Sequence, residues 1–257
     1  PFFSTIPFGL TGTEMDAWLA YGGGKELWQE IYEPFNLLPV RGGNSGTQMF
    51  GWFNKEINSL SDLQGLKMRI PGLGGEVFSR AGGTPVTMQV SEVFTAMQTG
   101  ALDATEFVSP YNDLAAGYHT VADYYYYPGW HEPGSTLETI FNKSAFEALP
   151  SDLQAILRAG AEVMNQLLMD ELTAKNNEAL RVLVEDHNVE LRKLPDDVLV
   201  ELKRLSNDVV SELAQTDEVT ARIYESYKSF QEGVENYHSI AEDAYVEARK
   251  LPANTSN

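Results

Sequence analysis

Between residues 37 and 108 the chain alternates short apolar runs with amphipathic ones, and glycine or proline marks most of the joins. Residues 37–40 read as a strand, followed by a glycine-rich loop over 41–46 and a second strand candidate over 47–53. Residues 58–64 read as a turn or short helix, with Ser61 placed to cap it. In 65–71, Leu66, Met68 and Ile70 fall on one face while Lys67 and Arg69 fall on the other, the two-residue alternation of a half-buried strand. Gly72, Gly74 and Gly75 then turn the chain into a helical run over 76–81. Residues 86–90 and 101–108 are further strands, separated by a helix over 92–99 that Ser91 should cap and Gly100 should close. Repeated strand–helix alternation calls for α/β layers.

The flanks differ in texture. Helices over 13–21 and 25–32, broken by Gly22, Gly23 and Gly24, precede the alternating region. After Pro110 come a helix over 112–122, an aromatic strand over 124–127, a turn over 128–134 and a strand over 137–142. From Ala145 onward helices dominate. Ser151 and Gln154 make a capping-box pattern after Pro150, opening a helix that should run to about His187 with a bend. A short strand over 189–194 and a helix from Pro195 follow. The last helix, over 217–250, carries Ile223, Tyr227, Phe230, Val234, Tyr237, Ala241 and Ala244 at alternating gaps of four and three. That heptad-like stripe fits either core packing or a homodimer contact. The end of the chain, 251–257, reads as a frayed tail.

Charge and composition remove several function classes. At 257 residues with 43% hydrophobic content, the chain can bury one large core or two smaller ones. A formal net charge of −19 repels phosphate backbones, which argues against nucleic-acid binding and requires a local cationic site for any anionic ligand. Before Arg158 the only arginines are Arg41, Arg69 and Arg80. The absence of cysteine removes thiol nucleophiles, disulfides and thiolate metal sites, and fits a periplasmic chain without requiring one. Gly43 to Thr47 lacks the last glycine of a nucleophile elbow, and Gly72 to Val77 lacks the third glycine of a dinucleotide fingerprint. His119, His131, His187 and His238 show no zinc spacing, and residues 103–112 miss the pattern of a helix–loop–helix calcium site.

What remains is a set of polar residues at strand ends: Gln48, Arg69, Glu106 and Glu132. An arginine beside a glycine turn offers a two-pronged donor fork to a carboxylate. Two carboxylates and an amide oxygen are hard ligands that suit calcium or sodium. Taken singly, Arg69 and each glutamate better fit an ordinary solvated or ion-paired surface group.

Several separated motifs occur in a fixed order: Leu63-Gln-Gly-Leu-Lys-Met-Arg-Ile-Pro71, Ser91-Glu-Val-Phe-Thr-Ala-Met-Gln-Thr-Gly100, Leu102-Asp103-Ala104, Asn142-Lys143 and Leu149-Pro150. In these the chain resembles the periplasmic solute receptors of TRAP transporters. Gln48-Met-Phe-Gly-Trp-Phe53 and Tyr124-Tyr-Tyr-Tyr-Pro-Gly-Trp130 narrow the resemblance to receptors for 2-oxo and 2-hydroxy monocarboxylates such as pyruvate and lactate. The resemblance implies an α/β, two-lobed periplasmic-binding-protein-like fold with mixed sheets, a long connecting helix and a helical C-terminal region. It divides the chain into a first lobe from 1–48 and 134–188, a second lobe from 49–133, and C-terminal helices over 189–250 that pack on the lobes or a partner subunit. It makes Arg69 the clamp for a ligand carboxylate, with Gln48, Phe107, Asn112 and Trp130 also touching ligand. Gln48, Glu106, the backbone carbonyl of Phe107 and Glu132 would hold a calcium or sodium ion. Phe107 stands where relatives often have tryptophan, and Phe50 where glycine is usual, so the size of the ligand stays open.

The implied partners are a small organic acid and the TRAP membrane subunits, in the periplasm and without turnover. The family also begins with a βαβ segment that has no counterpart ahead of Pro1, so part of the first lobe is expected to lie outside this sequence. Two rival readings accompany this one: a metal-assisted enzyme acting on a keto acid with His131 as base, and a protein-interaction module formed by the acidic helical half, 145–250.

Overall fold

The structure, a computed structural model, describes residues 1–252. In chain order its elements are α1 (Gly12–Tyr21), α2 (Gly24–Tyr32), β1 (Leu37–Asn44), β2 (Gly51–Phe53), β3 (Lys67–Arg69), α3 (Gly72–Arg80), β4 (Thr84–Val86), α4 (Val90–Gln98) and β5 (Ala104–Thr105). There follow α5 (Pro110–Ala116), β6 (Tyr124–Tyr127), β7 (Thr136–Asn142), α6 (Lys143–Glu147), α7 (Ser151–Glu185), β8 (Glu190–Lys193), α8 (Asp196–Ala214), α9 (Glu218–Ile240) and α10 (Glu242–Arg249).

Two sheets organise these elements. β1 and β7 form an antiparallel pair, and the other six strands form a mixed sheet in the order β4-β3-β5-β2-β6-β8. β3 runs parallel to β4 and β5, whereas β2 is antiparallel to β5 and β6. The six-stranded sheet is buried on both faces at β2, β5 and the middle of β6, so β2 and β6 carry aromatic residues on both faces there rather than alternating with polar ones. Phe53 and Tyr126 join one apolar cluster with Phe50, Met68, Phe78, Val198 and Leu202, under α3 and α8. Trp52 and Tyr125 point the opposite way, into a cluster with Val93, Met97, Tyr118 and Leu183. A third cluster ties the N-terminal segment and α1 to α9 through Phe2, Phe3, Trp18, Ile223 and Tyr227.

The two-lobed mixed α/β architecture is the expected one. Two connections, 45–50 and 128–135, pass side by side between the sheets. Ser45 N–H donates to the Ser135 carbonyl at 3.0 Å and Gln48 N–H to the Glu132 carbonyl at 3.1 Å. The 35-residue α7 packs on β1 at one end of its course and on α5 further along. β8 extends the six-stranded sheet beside β6.

Several local expectations fail for identifiable reasons. Ser59, not Ser61, caps the turn over Leu60–Leu63, in a capping box with Asp62. α4 begins at Val90 with Gln89 at its cap, so Ser91 lies inside the first turn and β4 ends at Val86. The strand expected over 101–108 shrinks to β5, because the chain leaves the sheet at Glu106. Ser151 is the first residue of α7, not its cap, and the Gln154 amide reaches back to the Glu147 and Leu149 carbonyls. The last helix is two, broken at Ala241, and of the stripe only Ile223 and Tyr227 are buried while Tyr237 is 61% exposed. Most of the predicted tail, 253–257, lies outside the described residues.

Candidate functional site

The parallel register of β3 and β5 sets Arg69 opposite Thr105, so both strands end at the same level. Glu106, the next residue, donates its N–H to the Arg69 carbonyl at 3.1 Å. Its side chain is buried, and Oε1 pairs with Nη1 of Arg69. Oε2 lies 3.6 Å from His131 Nε2, a buried imidazole packed against the rings of Phe50 and Trp130. Sequence spacing therefore brings Arg69 and Glu106 together as one ion pair.

The second group belongs to the crossing connections. Gln48 Nε2 donates to Glu132 Oε2 at 2.6 Å, and Ser135 Oγ donates to the same oxygen at 2.6 Å. The backbone of Gln48 is pinned as well, since Gly129 N–H donates to its carbonyl at 3.0 Å. A Cβ on residue 129 would lie 2.2 Å from that carbonyl oxygen, so only glycine allows the approach. These contacts leave Gln48 Oε1 buried without a hydrogen-bond partner.

A third set joins the first two. Met49 N–H donates to the Val108 carbonyl at 3.1 Å, linking the first crossing connection to the loop that follows Glu106. Val108 N–H donates to Asp113 Oδ1 at 3.1 Å. Asp113 Oδ2 accepts from Trp52 Nε1 at 2.9 Å and from the Tyr125 hydroxyl at 2.8 Å. Burial pushes the Asp113 carboxyl up to about 7, against the opposing pull of its three donors. The Tyr125 phenol is pushed well up by the same burial and by the Asp113 charge.

The remaining predicted residues sit around this frame. Phe107 is half-buried, edge-on to Tyr118 with 5.5 Å between centroids. Asn112 has a buried side-chain oxygen without a partner. Trp130 packs in the core cluster between Phe8 and Phe50, and its indole N–H is likewise unpartnered. Asp113, Ser45 and Ser135 escaped sequence reasoning. Asp113 meets Trp52 and Tyr125 only through the sheet, and no local spacing signals that.

Among the described residues no three His, Asp or Glu side chains gather as a metal-binding group. The oxygen donors Gln48, Glu106 and Glu132 instead line adjoining segments, with His131 touching Glu106 and preceding Glu132 in the chain. A buried amide oxygen without a partner is the kind of donor that a hard cation satisfies, so the residues present fit calcium or sodium. Elsewhere, a cavity of about 210 Å³ is lined by Trp28, Val40, Arg41, Arg158 and Glu162. Arg41 is neutralised there by Asp16 and Glu162 and offers no clamp.

Comparison with known proteins gives one consistent result. The model of the family described as DctP, bacterial extracellular solute-binding protein, family 7, matches residues 2–217. A monocarboxylate 2-oxoacid-binding periplasmic protein of Nostoc sp. is 38% identical over 244 residues, which are 95% of this chain and 67% of that protein. A TRAP periplasmic solute binding protein from Colwellia psychrerythraea, solved with calcium and pyruvate, superposes with a TM-score of 0.92 at 38% identity, covering 96% of this chain and 75% of that one. Another from Pseudoalteromonas atlantica, solved with sodium and pyruvate, gives 0.91 at 40% identity, covering 98% and 76%.

Proposed function

This chain belongs to family 7 of the bacterial extracellular solute-binding proteins, and on that premise we propose that it is a TRAP receptor for a small 2-oxo or 2-hydroxy acid. The family is one of binding proteins and not of enzymes, which removes the keto-acid enzyme with His131 as base. The carrying observation is the Arg69–Glu106 pair: a guanidinium at the junction of the sheets already holds a carboxylate through one nitrogen. Its fork has further donors for the carboxylate of a ligand.

Gln48, Glu106, the Phe107 carbonyl and Glu132 would hold a calcium or sodium ion, which supplies positive charge beside the ligand oxygens. Relatives at 38% and 40% identity were solved with such an ion and with pyruvate, which supports the assignment. Phe107, Asn112 and Trp130 border the ligand in this reading. The lobes are 1–48 with 134–188, and 49–133 with β8 and α8 packed on the second. They close about the crossing connections, and the closed form docks on TRAP membrane subunits in the periplasm. The described residues contain no helix long and apolar enough to cross a membrane. The exposed Tyr237, Ile240 and Tyr245 of α9 and α10 are the face that a homodimer would cover.

Calorimetry with pyruvate and lactate, in calcium and after chelation, tests this reading. Binding should weaken on chelation. Arg69→Ala should cost about 2–5 kcal/mol of ligand affinity, since it would leave the ligand carboxylate without its charged partner once the site is closed. Arg69→Lys should also bind poorly, because an ammonium lacks the planar fork. Wild-type affinity in Arg69→Lys would overturn the clamp.

A further inference from the structure

Asp113 contacts neither ligand nor ion in the proposed function, yet it is 1% exposed and both of its oxygens accept hydrogen bonds. One oxygen takes the Val108 N–H, and the other takes the Trp52 indole and the Tyr125 hydroxyl. The Trp52 and Tyr125 rings stack at 4.0 Å, so these donors are held by the sheet itself. We infer that Asp113 is a positioning residue of the ion site, which fixes the direction of the Phe107 carbonyl by accepting the amide proton of Val108. This inference rests on the ion-site reading.

The peptide linking Phe107 to Val108 is trans. In a planar trans peptide the N–H and C=O point in opposite directions. Anchoring the Val108 N–H on Asp113 therefore turns the Phe107 oxygen away from the Trp52–Tyr125 stack. The next peptide is fixed too, because the Val108 carbonyl accepts from Met49 N–H. With Gln48 N–H on the Glu132 carbonyl, one run of hydrogen bonds connects Glu132, Gln48, Met49, Val108 and Asp113. The segments bearing all the proposed ion ligands are thereby held in one frame.

Both sides of residue 113 face donors, and an ionised carboxylate offers an acceptor to each. The indole N–H can only donate, as can the Val108 N–H. An asparagine would satisfy one side and turn its NH₂ against the other. Asp113→Asn is therefore the informative change, and partners of this outlying kind typically influence metal affinity by about 10–100-fold.

Phe107–Val108 is the only Phe-Val dipeptide in the sequence, so carbonyl-¹³C phenylalanine with ¹⁵N valine gives a single correlated NMR signal for this peptide. In the wild-type chain, calcium added with pyruvate should shift that carbonyl resonance. In folded Asp113→Asn, calcium affinity by calorimetry should fall by about tenfold or more, with the Val108 amide shifted before calcium is added. If the wild type binds calcium and Asp113→Asn binds it equally, with the same carbonyl shift, the positioning role is overturned while the ion site stands. If the wild-type carbonyl does not respond, the ion-site reading falls and this inference with it. Should Asp113→Asn not fold, Tyr125→Phe carries the test, since it removes one donor from the carboxylate and leaves Val108 untouched. A shift of the Val108 amide there together with a loss of calcium affinity supports the role, and that shift with unchanged affinity overturns it.

Discussion

Gly51 and Asp113 show how single residues hold the junction between the sheets. Gly51 has φ of +134°, and a Cβ there would lie 2.2 Å from the Thr105 carbonyl oxygen, beside Glu106. Gly51→Ala should therefore lower stability by about 2–4 kcal/mol, from backbone strain and overpacking together, as read in urea denaturation. Asp113 contributes differently. Its carboxyl is pushed up to about 7 in the folded protein, so the folded chain binds a proton that the unfolded chain has already released. The contribution is fully present below the ordinary aspartate value of about 4 and is lost as pH rises to about 7. The titratable groups facing it are Glu106, Tyr118 and Tyr125, and both phenols are themselves pushed upward, out of that window. Asp113→Asn should flatten the fall in stability between about pH 4.5 and about pH 7.5, measured by denaturation midpoints. In the sequence Arg69 stands out as the polar end of an alternating strand, and Glu106 only as a polar residue at the end of an expected one. Asp113 is not legible there, because its partners Trp52 and Tyr125 reach it only once the sheet has formed.

At the scale of elements, periodicity located nearly every helix and strand but misjudged several ends. The strand expected over 101–108 keeps only two residues in the ladder, since Glu106 leaves the sheet to meet Arg69. Alternation could not reveal that β2 and β6 are covered on both faces, because Trp52, Phe53, Tyr125 and Tyr126 are all apolar or aromatic. The heptad-like stripe named the correct residues for packing at Ile223 and Tyr227, but nothing local marked the break at Ala241. α9 is fastened to the N-terminal segment by Tyr227, whose buried hydroxyl accepts the Leu10 N–H at 2.6 Å. Tyr227→Phe would leave that amide buried without a partner, at a cost of about 1–3 kcal/mol. Urea denaturation of the variant measures it, and an unchanged midpoint would mean that water or local movement satisfies Leu10.

At the scale of the molecule, the question is what makes closure depend on ligand. α7 is roughly 50 Å long at 35 residues and touches both regions, packing on β1 and fixing α5 through Asn176, whose side-chain oxygen accepts the Tyr111 N–H. In the proposed cycle the lobes turn about the crossing connections, which three backbone hydrogen bonds join: Ser45 to Ser135, Gln48 to Glu132 and Gly129 to Gln48. A partly buried guanidinium is costly without a partner, and for Arg69 the buried Glu106 supplies one. In the proposed function a ligand carboxylate would be a second partner for Arg69, and contacts of that ligand with the other lobe would favour the closed arrangement. The chain carries a formal net charge of −19, so bringing the lobes together around an anion also needs local positive charge, which Arg69 and the proposed cation would supply. Small-angle scattering should therefore show a fall in radius of gyration when pyruvate and calcium are added together, a smaller change with pyruvate alone, and none in Arg69→Ala. If calorimetry shows saturation of the wild-type chain and the scattering curve does not change, binding proceeds without closure and the hinge assignment is wrong.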